Sequence, residues 1–115
     1  FYALREGLRL VAEEGLAARW ARHQAVAERL WAGLGEMGLE PHVPLEIRLP
    51  SLTTVRVPAG VDAAAVSRRL LTEYNIEIAG GLGDLAGKVW RVGLMGYNAR
   101  PESVAVLLRA LADVL

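Results

Sequence analysis

The chain has 115 residues, 53% of them hydrophobic, and its 13 basic and 13 acidic side chains leave no net charge at neutral pH. This length is enough for one modest domain, and the balanced charge argues against a surface for nucleic acid or an anionic membrane. The absence of cysteine excludes disulfides, thiolate catalysis and cysteine metal sites within these residues, and it favours a reducing, cytoplasmic compartment. No apolar run approaches the length of a membrane span, and no secretory signal is present.

The first third of the chain predicts a long amphipathic helical region. Apolar side chains recur there at helical spacing, with a break predicted near Gly15 and a stop at Gly38, since glycine enters the left-handed region without steric cost. The chain opens at Phe1 already in helical pattern and without a capping residue, so we expect the natural protein to begin further upstream. Residues 39–50 contain three prolines and predict a short edge strand followed by a loop.

Strands and helices alternate through the remainder of the chain. The predicted strands cover residues 52–57, 76–78 and 88–95. Asp62 is expected to cap a helix that ends at a left-handed Asn75, and Pro101 to occupy the first position of a final helix. The economical arrangement of these elements is an α+β fold, with a small, mainly antiparallel sheet and the helices packed on one face.

A glycine-rich stretch, GGLGDLAGKVWRVGLMG at residues 80–96, raises the question of a nucleotide site. Gly81, Gly83 and Ala86 match the G-x-G-x-x-A form of the dinucleotide fingerprint, and the Gly-Lys pair that follows resembles the end of a P-loop. Both motifs require a helix whose N-terminus faces the phosphate. Here the lysine leads into VWRVGLM, a sequence typical of a strand, so the pattern argues against nucleotide binding.

Strand alternation assigns Arg91 to one face of its strand and Trp90 and Val92 to the other. If the helices cover the tryptophan face, Arg91 projects from the opposite face, where its planar fork of N–H donors would match a carboxylate. The alternative is an ordinary surface arginine that pairs with Glu77 on a neighbouring strand. The residues alone slightly favour this second interpretation.

The remaining polar residues give weaker indications. His23 falls within the apolar helical series, which predicts a packed or boundary histidine, and His42 lies in the proline-rich segment. Two histidines without cysteine do not provide the ligand spacing of a metal centre, so no metal site is predicted. Thr53 and Thr54 are explained by strand propensity.

Three stretches, FYALREGLRLVAEEGL, SLTTVRVPAG and YNIEIAGGLGDLAGKVWRVGLMGYNA, resemble in order and spacing the C-terminal small domain of class V, fold-type I aminotransferases, which depend on pyridoxal phosphate. The resemblance covers essentially the whole chain and is strongest for the alanine–glyoxylate and serine–pyruvate aminotransferase branch. It implies that Arg91 binds the α-carboxylate of the amino-acid substrate. It also implies that Gly80, Gly81 and Gly83 belong to a loop beside the active-site mouth, where glycine permits close backbone approach.

The resemblance further implies what residues 1–115 lack. As a single, C-terminal small domain they would follow a large domain, upstream of Phe1, that carries the Schiff-base lysine, the acidic partner of the pyridine nitrogen and the phosphate-binding residues. Lys88 does not match the Schiff-base position, so no catalytic residue is assigned within this chain. By itself the chain should bind no pyridoxal phosphate and should not transaminate.

The resemblance also implies the activity of the full-length protein, which would be a homodimeric enzyme. It would transfer an amino group from a small amino acid of the alanine, serine or glycine type to a 2-oxo acid of the glyoxylate or pyruvate type. Related cysteine desulfurases carry a nucleophilic cysteine in this domain, so the absence of cysteine disfavours that activity.

Two other classes of protein stay open on the residues. One is a free-standing α+β module that binds a small carboxylic acid through Arg91. The other is a protein-interaction domain that uses its excess of apolar surface. The abrupt helical start at Phe1 argues against the first of these.

Overall fold

A computed structural model describes all residues from 1 to 115 and contains four α-helices and a three-stranded antiparallel sheet. The helices are α1 (Tyr2–Glu14), α2 (Leu16–Glu36), α3 (Ala63–Tyr74) and α4 (Pro101–Val114). The strands are β1 (Leu52–Arg56), β2 (Ala79–Gly80) and β3 (Val89–Gly93). This architecture confirms the predicted α+β fold. None of the helices has both the length and the apolar character needed to cross a membrane.

The central strand of the sheet is β3, with β1 on one side and β2 on the other, and both pairings are antiparallel. Thr54 of β1 and Ala79 of β2 lie opposite Arg91 of β3. Because β2 has only two residues, the side of β3 that faces β2 has no strand partner beyond Arg91. The sheet therefore supports Arg91 on both sides but leaves the C-terminal end of β3 with one neighbouring strand.

The core lies between one face of the sheet and helices α2, α3 and α4. Alternation points Thr53 and Val55 of β1, and Trp90 and Val92 of β3, toward these helices, and all four residues are buried. Trp90 is 1% exposed, and its indole Nε1 donates to the carbonyl oxygen of Ala63, at the start of α3, over 3.1 Å. The tryptophan face is therefore the helix-covered face, as the sequence predicts. On the opposite face of β3, Val89 is buried, Arg91 is half-buried and Gly93 is exposed, so that face is open toward the C-terminal end of the strand.

Several helix boundaries are set by single residues that the sequence singles out. Gly15, with a φ of 79°, separates α1 from α2, and Gly38, with a φ of 71°, follows the end of α2. The side chain of Asp62 accepts two backbone N–H groups at the start of α3, and Asn75 ends that helix in the left-handed conformation at a φ of 56°. Pro101 is the first residue of α4. These local predictions are confirmed because each depends on backbone chemistry within a few residues.

The edge strand predicted within residues 39–50 is wrong. That segment forms only two isolated bridges, between Pro41 and Val55 and between Leu49 and Leu52, with a 3-10 turn at Leu45–Ile47 between them. Proline has no N–H to donate to a ladder, and the prolines of this segment prevent the bridges from extending into a strand.

The strand predicted at residues 76–78 is displaced along the chain, and β2 begins only at Ala79. The N–H of Ile76 donates instead to the carbonyl oxygen of Leu70, over 3.0 Å. This bond closes the C-terminal end of α3, where carbonyl groups lack helical partners. The N–H of Ile76 is therefore bonded to the end of α3 and is not available to the sheet.

Helix α1 stands apart from the core. None of its residues is buried, and its apolar side chains Leu4 and Leu8 are 63% and 60% exposed. Its contact with α2 is polar at the C-terminal end, where the carboxylate of Glu14 accepts hydrogen bonds from Arg19 and Arg22.

Candidate carboxylate-binding site

Arg91 stands on the open face of the central strand. Its Nε donates to the carbonyl oxygen of Gly80 over 2.8 Å, which orients the guanidinium group along β2. The two Nη groups have no hydrogen-bond or ion-pair partner within the chain. The side chain is therefore held at one nitrogen while the remaining donors of its fork are free to bind a carboxylate in two parallel hydrogen bonds.

The surroundings of Arg91 leave room for a ligand. Its neighbours across the sheet, Thr54 and Ala79, have short side chains, and the next open-face position along β3 is Gly93, which is exposed. The methyl carbon of Met95 lies 3.2 Å from the position that a Cβ atom on Gly93 would occupy. Met95 thus covers the strand beside the arginine.

The alternative interpretation of Arg91, as half of a surface ion pair with Glu77, is not what the structure contains. Glu77 is exposed and takes part in no ion pair. The register explains this, because Ala79 lies opposite Arg91 and Glu77 precedes β2. No carboxylate of the chain neutralises the arginine.

The three glycines predicted to form the active-site loop behave differently from one another. A Cβ atom on Gly81 would lie 2.0 Å from the carbonyl oxygen of Leu85, whereas one on Gly80 would meet nothing within 4 Å. Gly83 has a φ of 55° at the start of a 3-10 turn. Close backbone approach therefore applies to Gly81, left-handed geometry applies to Gly83, and Gly80 contributes the carbonyl that holds Arg91.

The loop passes into β3 and not into a helix, which agrees with the rejection of a nucleotide motif. Lys88, the only lysine of the chain, is exposed at the end of this loop and its ammonium group forms no hydrogen bond or ion pair. A lone exposed lysine without a hydrogen-bonded neighbour does not make a site that fits pyridoxal phosphate. The structure brings together no group of three or more potential metal-ligating side chains.

A cavity of about 360 Å³ lies nearby, at the edge of β3 that β2 leaves unpaired. It is lined by Val92, Gly93 and Leu94 of the strand region and by residues of α4, and it does not include Arg91. The arginine is instead on an open surface. A carboxylate bound there would be covered by this chain on one side only.

Sequence reasoning missed a hydrogen-bonded cluster that holds the segment after β3. Nη1 of Arg22 donates to the carbonyl oxygens of Gly96 and Ala99, over 2.9 and 2.8 Å. Nε2 of His23 accepts from the N–H of Gly96 over 3.2 Å, while its Nδ1 lies 2.7 Å from the carbonyl oxygen of Arg19. The prediction that His23 is a packed or boundary histidine is confirmed. Nothing in the spacing of α2 indicates which distant segment these side chains would reach.

The electrostatics of this cluster centre on Glu14. Its carboxylate accepts from Nε and Nη2 of Arg22 over 2.6 and 2.9 Å, and from Nη1 of Arg19 over 2.8 Å. The hydrogen bonds from Arg22, opposed by partial desolvation and assisted by Arg19, lower the pKa of Glu14 to about 2. Glu14 in turn raises the pKa of Arg22 above its ordinary value, so the pair is fully ionised at neutral pH.

Comparison with known proteins gives a consistent result. No protein-family model matches the chain. It is 46% identical over 114 residues to the (S)-ureidoglycine–glyoxylate transaminase of Bacillus subtilis, which covers 99% of this chain and 27% of that protein. It is 46% identical over 115 residues to the alanine–glyoxylate aminotransferase of Mus musculus, which covers 99% of this chain and 28% of that protein. Among solved structures, the alanine–glyoxylate aminotransferase of Nostoc sp. superposes with a TM-score of 0.96 at 64% identity, over 98% of this chain and 30% of that one.

The chain thus spans between a quarter and a third of the length of the relatives it matches. Its fold is also that of the matching part of this solved structure, with almost the whole chain superposed. The resemblance drawn from the sequence is confirmed. The chain therefore belongs to the family of the alanine–glyoxylate and ureidoglycine–glyoxylate aminotransferases and has the fold of an aminotransferase small domain.

Proposed function

We propose that this chain is the carboxylate-binding small domain of a class V, fold-type I aminotransferase and that Arg91 is its substrate-binding residue. The observation that carries the proposal is the half-satisfied guanidinium group, held through Nε by the carbonyl of Gly80 and free at both Nη groups. A rigid fork with two free donors matches the two oxygens of a carboxylate better than a mobile ammonium group would. The loop of Gly80, Gly81 and Gly83 would pass beside the mouth of the site.

The proposed substrate class is supported by the names of the relatives and by the chemistry of the arginine. One relative is named for alanine and glyoxylate and another for ureidoglycine and glyoxylate. We therefore propose a small amino acid of the alanine, serine or glycine type as donor, and a 2-oxo acid of the glyoxylate or pyruvate type as acceptor. Donor and acceptor both carry a carboxylate next to the reacting carbon, so a single arginine serves both halves of the reaction. By fixing that carboxylate, Arg91 would orient the bond to be broken at the α-carbon.

The proposed enzyme requires groups beyond these residues. Pyridoxal phosphate, when bound, would supply the electron sink for the chemistry at the α-carbon. Because the surroundings of Lys88 do not fit the cofactor, we assign its anchoring groups to a large domain of the same protein. The exposed apolar side chains of α1 support contact with that domain or with a second subunit of a homodimer, and the cysteine-free composition favours a cytoplasmic location.

The test uses the full-length protein. Arg91→Lys keeps the positive charge but loses the planar fork, so we expect kcat/KM to fall about 10- to 100-fold with every amino-acid donor. The bound-cofactor absorbance should be unchanged. The matched control is Arg56→Lys, since Arg56 is an exposed arginine on the same open face of the sheet, and its kcat/KM should stay within about twofold.

Normal efficiency of Arg91→Lys toward all donors, with intact folding and cofactor content, would contradict the carboxylate role. A full-length protein that binds small carboxylates through Arg91 but shows no cofactor absorbance would favour the free-standing binding module. The two outcomes are separated by one absorbance spectrum and one inhibition measurement.

A further inference from the structure

The sheet gives incomplete support to the strand that carries Arg91. Beyond the pair between Arg91 and Ala79, β3 has no partner on the β2 side. On the other side, Gly93 still pairs with Leu52, and the N–H of Leu94 donates to the carbonyl oxygen of Ser51 over 2.9 Å. The C-terminal end of β3 is thus held by one neighbouring strand, and a strand end with one neighbour is prone to fray.

Side chains of α2 supply a second restraint, which we term the Gly96 clamp and define as Arg22 and His23. The N–H of Gly96 donates to Nε2 of His23 over 3.2 Å, and its carbonyl oxygen accepts from Nη1 of Arg22 over 2.9 Å. The same Nη1 group also binds the carbonyl oxygen of Ala99 over 2.8 Å. Both backbone polar groups of Gly96 are therefore bound by adjacent residues of one helix.

The clamp is itself immobilised. Nε and Nη2 of Arg22, the atoms that do not face the loop, are occupied by the carboxylate of Glu14. Nδ1 of His23 lies 2.7 Å from the carbonyl oxygen of Arg19, so this nitrogen carries the proton and leaves Nε2 as the acceptor for Gly96. Arg22 and His23 are thus each bonded to a group outside the loop, and each binds Gly96 through a remaining nitrogen.

Met95 connects the clamp with the face that carries Arg91. It immediately precedes Gly96, and its methyl carbon covers Gly93, the next open-face position of β3 after Arg91. Residues that share one face of a strand are about 7 Å apart. Movement of the segment after β3 would therefore displace a side chain within reach of a ligand held by the arginine.

We propose that Arg22 and His23 are positioning residues for carboxylate binding, an inference that rests on the proposed function of Arg91. They act through the backbone of the segment after β3, and they fix the end of the strand and Met95 beside the arginine. Neither residue is a catalytic residue, since each touches the loop and not the substrate. Their loss should weaken carboxylate binding, and so raise KM, more than it lowers kcat for a substrate that is already bound.

The test compares Arg22→Gln and His23→Ala in the full-length enzyme. For each we expect KM for the amino-acid donor, and the inhibition constant of acetate as a simple carboxylate, to rise about three- to tenfold. At saturating donor, kcat should stay within about twofold. The matched control is Arg69→Gln, because Arg69 also grips a glutamate, Glu73, through two nitrogens and donates to a distant carbonyl, that of Val114. It should lower stability without changing KM.

If Arg22→Gln fails to fold, Arg22→Lys, which can still reach one carbonyl, should give a smaller rise in KM of the same kind. Unchanged KM and acetate inhibition in the folded clamp variants, together with a loss in Arg91→Lys, would overturn this inference and leave the proposed function standing. An equal rise in Arg69→Gln would also overturn it, since the effect would then be general destabilisation. Unchanged binding in Arg91→Lys would instead contradict the proposed function itself.

Discussion

A Cβ atom on Gly81 would lie 2.0 Å from the carbonyl oxygen of Leu85 and 2.8 Å from Cγ2 of Val89. The first contact is with backbone, which cannot rotate away as a side chain can. The turn between β2 and β3 is therefore tightly packed at Gly81. The carbonyl oxygen of the neighbouring Gly80 accepts the hydrogen bond from Nε of Arg91.

Gly81→Ala should open this turn and destabilise the chain by about 1–3 kcal/mol, the usual cost of forcing an extra methyl group into a filled space. Urea unfolding of residues 1–115 measures the effect. Gly80→Ala is the matched control, because its Cβ would meet nothing within 4 Å, and it should change stability by less than about 0.5 kcal/mol. Equal losses in the two variants would contradict the assigned role of Gly81.

Thr53→Val tests a buried polar contact of the core. Thr53 is 4% exposed, and its Oγ1 accepts from Nε1 of Trp31 over 2.9 Å. Valine keeps the shape but removes the acceptor, so we expect a loss of about 1 kcal/mol in the free energy of unfolding. Thr54→Val, on the open face, should change it by less than about 0.5 kcal/mol. If Thr54→Val costs as much as Thr53→Val, the loss does not come from the contact with the indole of Trp31.

Glu14→Gln should remove a pH-dependent part of the stability. The pKa of Glu14 falls from 4.5 to about 2 on folding, so its ionised form stabilises the folded state above pH 4.5, and this contribution is lost as the pH falls toward 2. The melting temperature of the parent should exceed that of Glu14→Gln at pH 7, and the gap should close between about pH 5 and about pH 2. Thermal melts across this range provide the measurement.

The control for this comparison is Glu36→Gln. Glu36 is exposed at the end of α2 and takes part in no ion pair, so its substitution should give a nearly constant offset across the same range. A gap that stays constant for Glu14→Gln, or that widens on acidification, would mean that Arg22 does not hold the ionised carboxylate.

Residues 1–115 mixed with pyridoxal phosphate should not retain it through gel filtration, and they should not transaminate alanine, serine or glycine. The reason is that Lys88 is exposed and its ammonium group forms no hydrogen bond or ion pair that would fix its position. Lys88→Ala serves as the control and should behave identically. Stoichiometric cofactor absorbance that survives filtration and disappears in Lys88→Ala would contradict the assignment of the anchoring groups to another domain.

The parts of this fold that could be predicted from the sequence are those set by a few adjacent residues. Gly15 and Asn75 adopt backbone angles that other residues reach only with strain, and they end helices wherever the rest of the chain lies. Strand alternation likewise placed Arg91 on the face opposite Trp90, because the period of two is a property of the backbone.

The parts that could not be predicted depend on competition between segments. The N–H of Ile76 bonds to α3, which delays the start of β2 and leaves part of β3 without a partner. Arg22 and Gly96 are 74 positions apart in sequence, so helical spacing cannot identify Gly96 as the partner of this arginine. The free Nη groups of Arg91 could not be predicted for a similar reason, because the register of β2 decides that Ala79, and not Glu77, lies opposite the arginine.

The exposure of α1 has a consequence for cooperativity. A helix of 13 residues without a buried side chain is marginal in water, and its pairs between Arg9 and the flanking Glu6 and Glu13 add only a few tenths of a kcal/mol each. Its amide hydrogens should therefore exchange through a local opening that leaves the core folded.

Because Glu14 is the last residue of α1 and the ionic partner of Arg22, such an opening also weakens the hydrogen bonds that Arg22 makes to the segment at Gly96. Order in α1 and order at the end of β3 are thus linked thermodynamically. A contact that stabilises α1 also stabilises the end of β3, and the coupling free energy is the same in both directions.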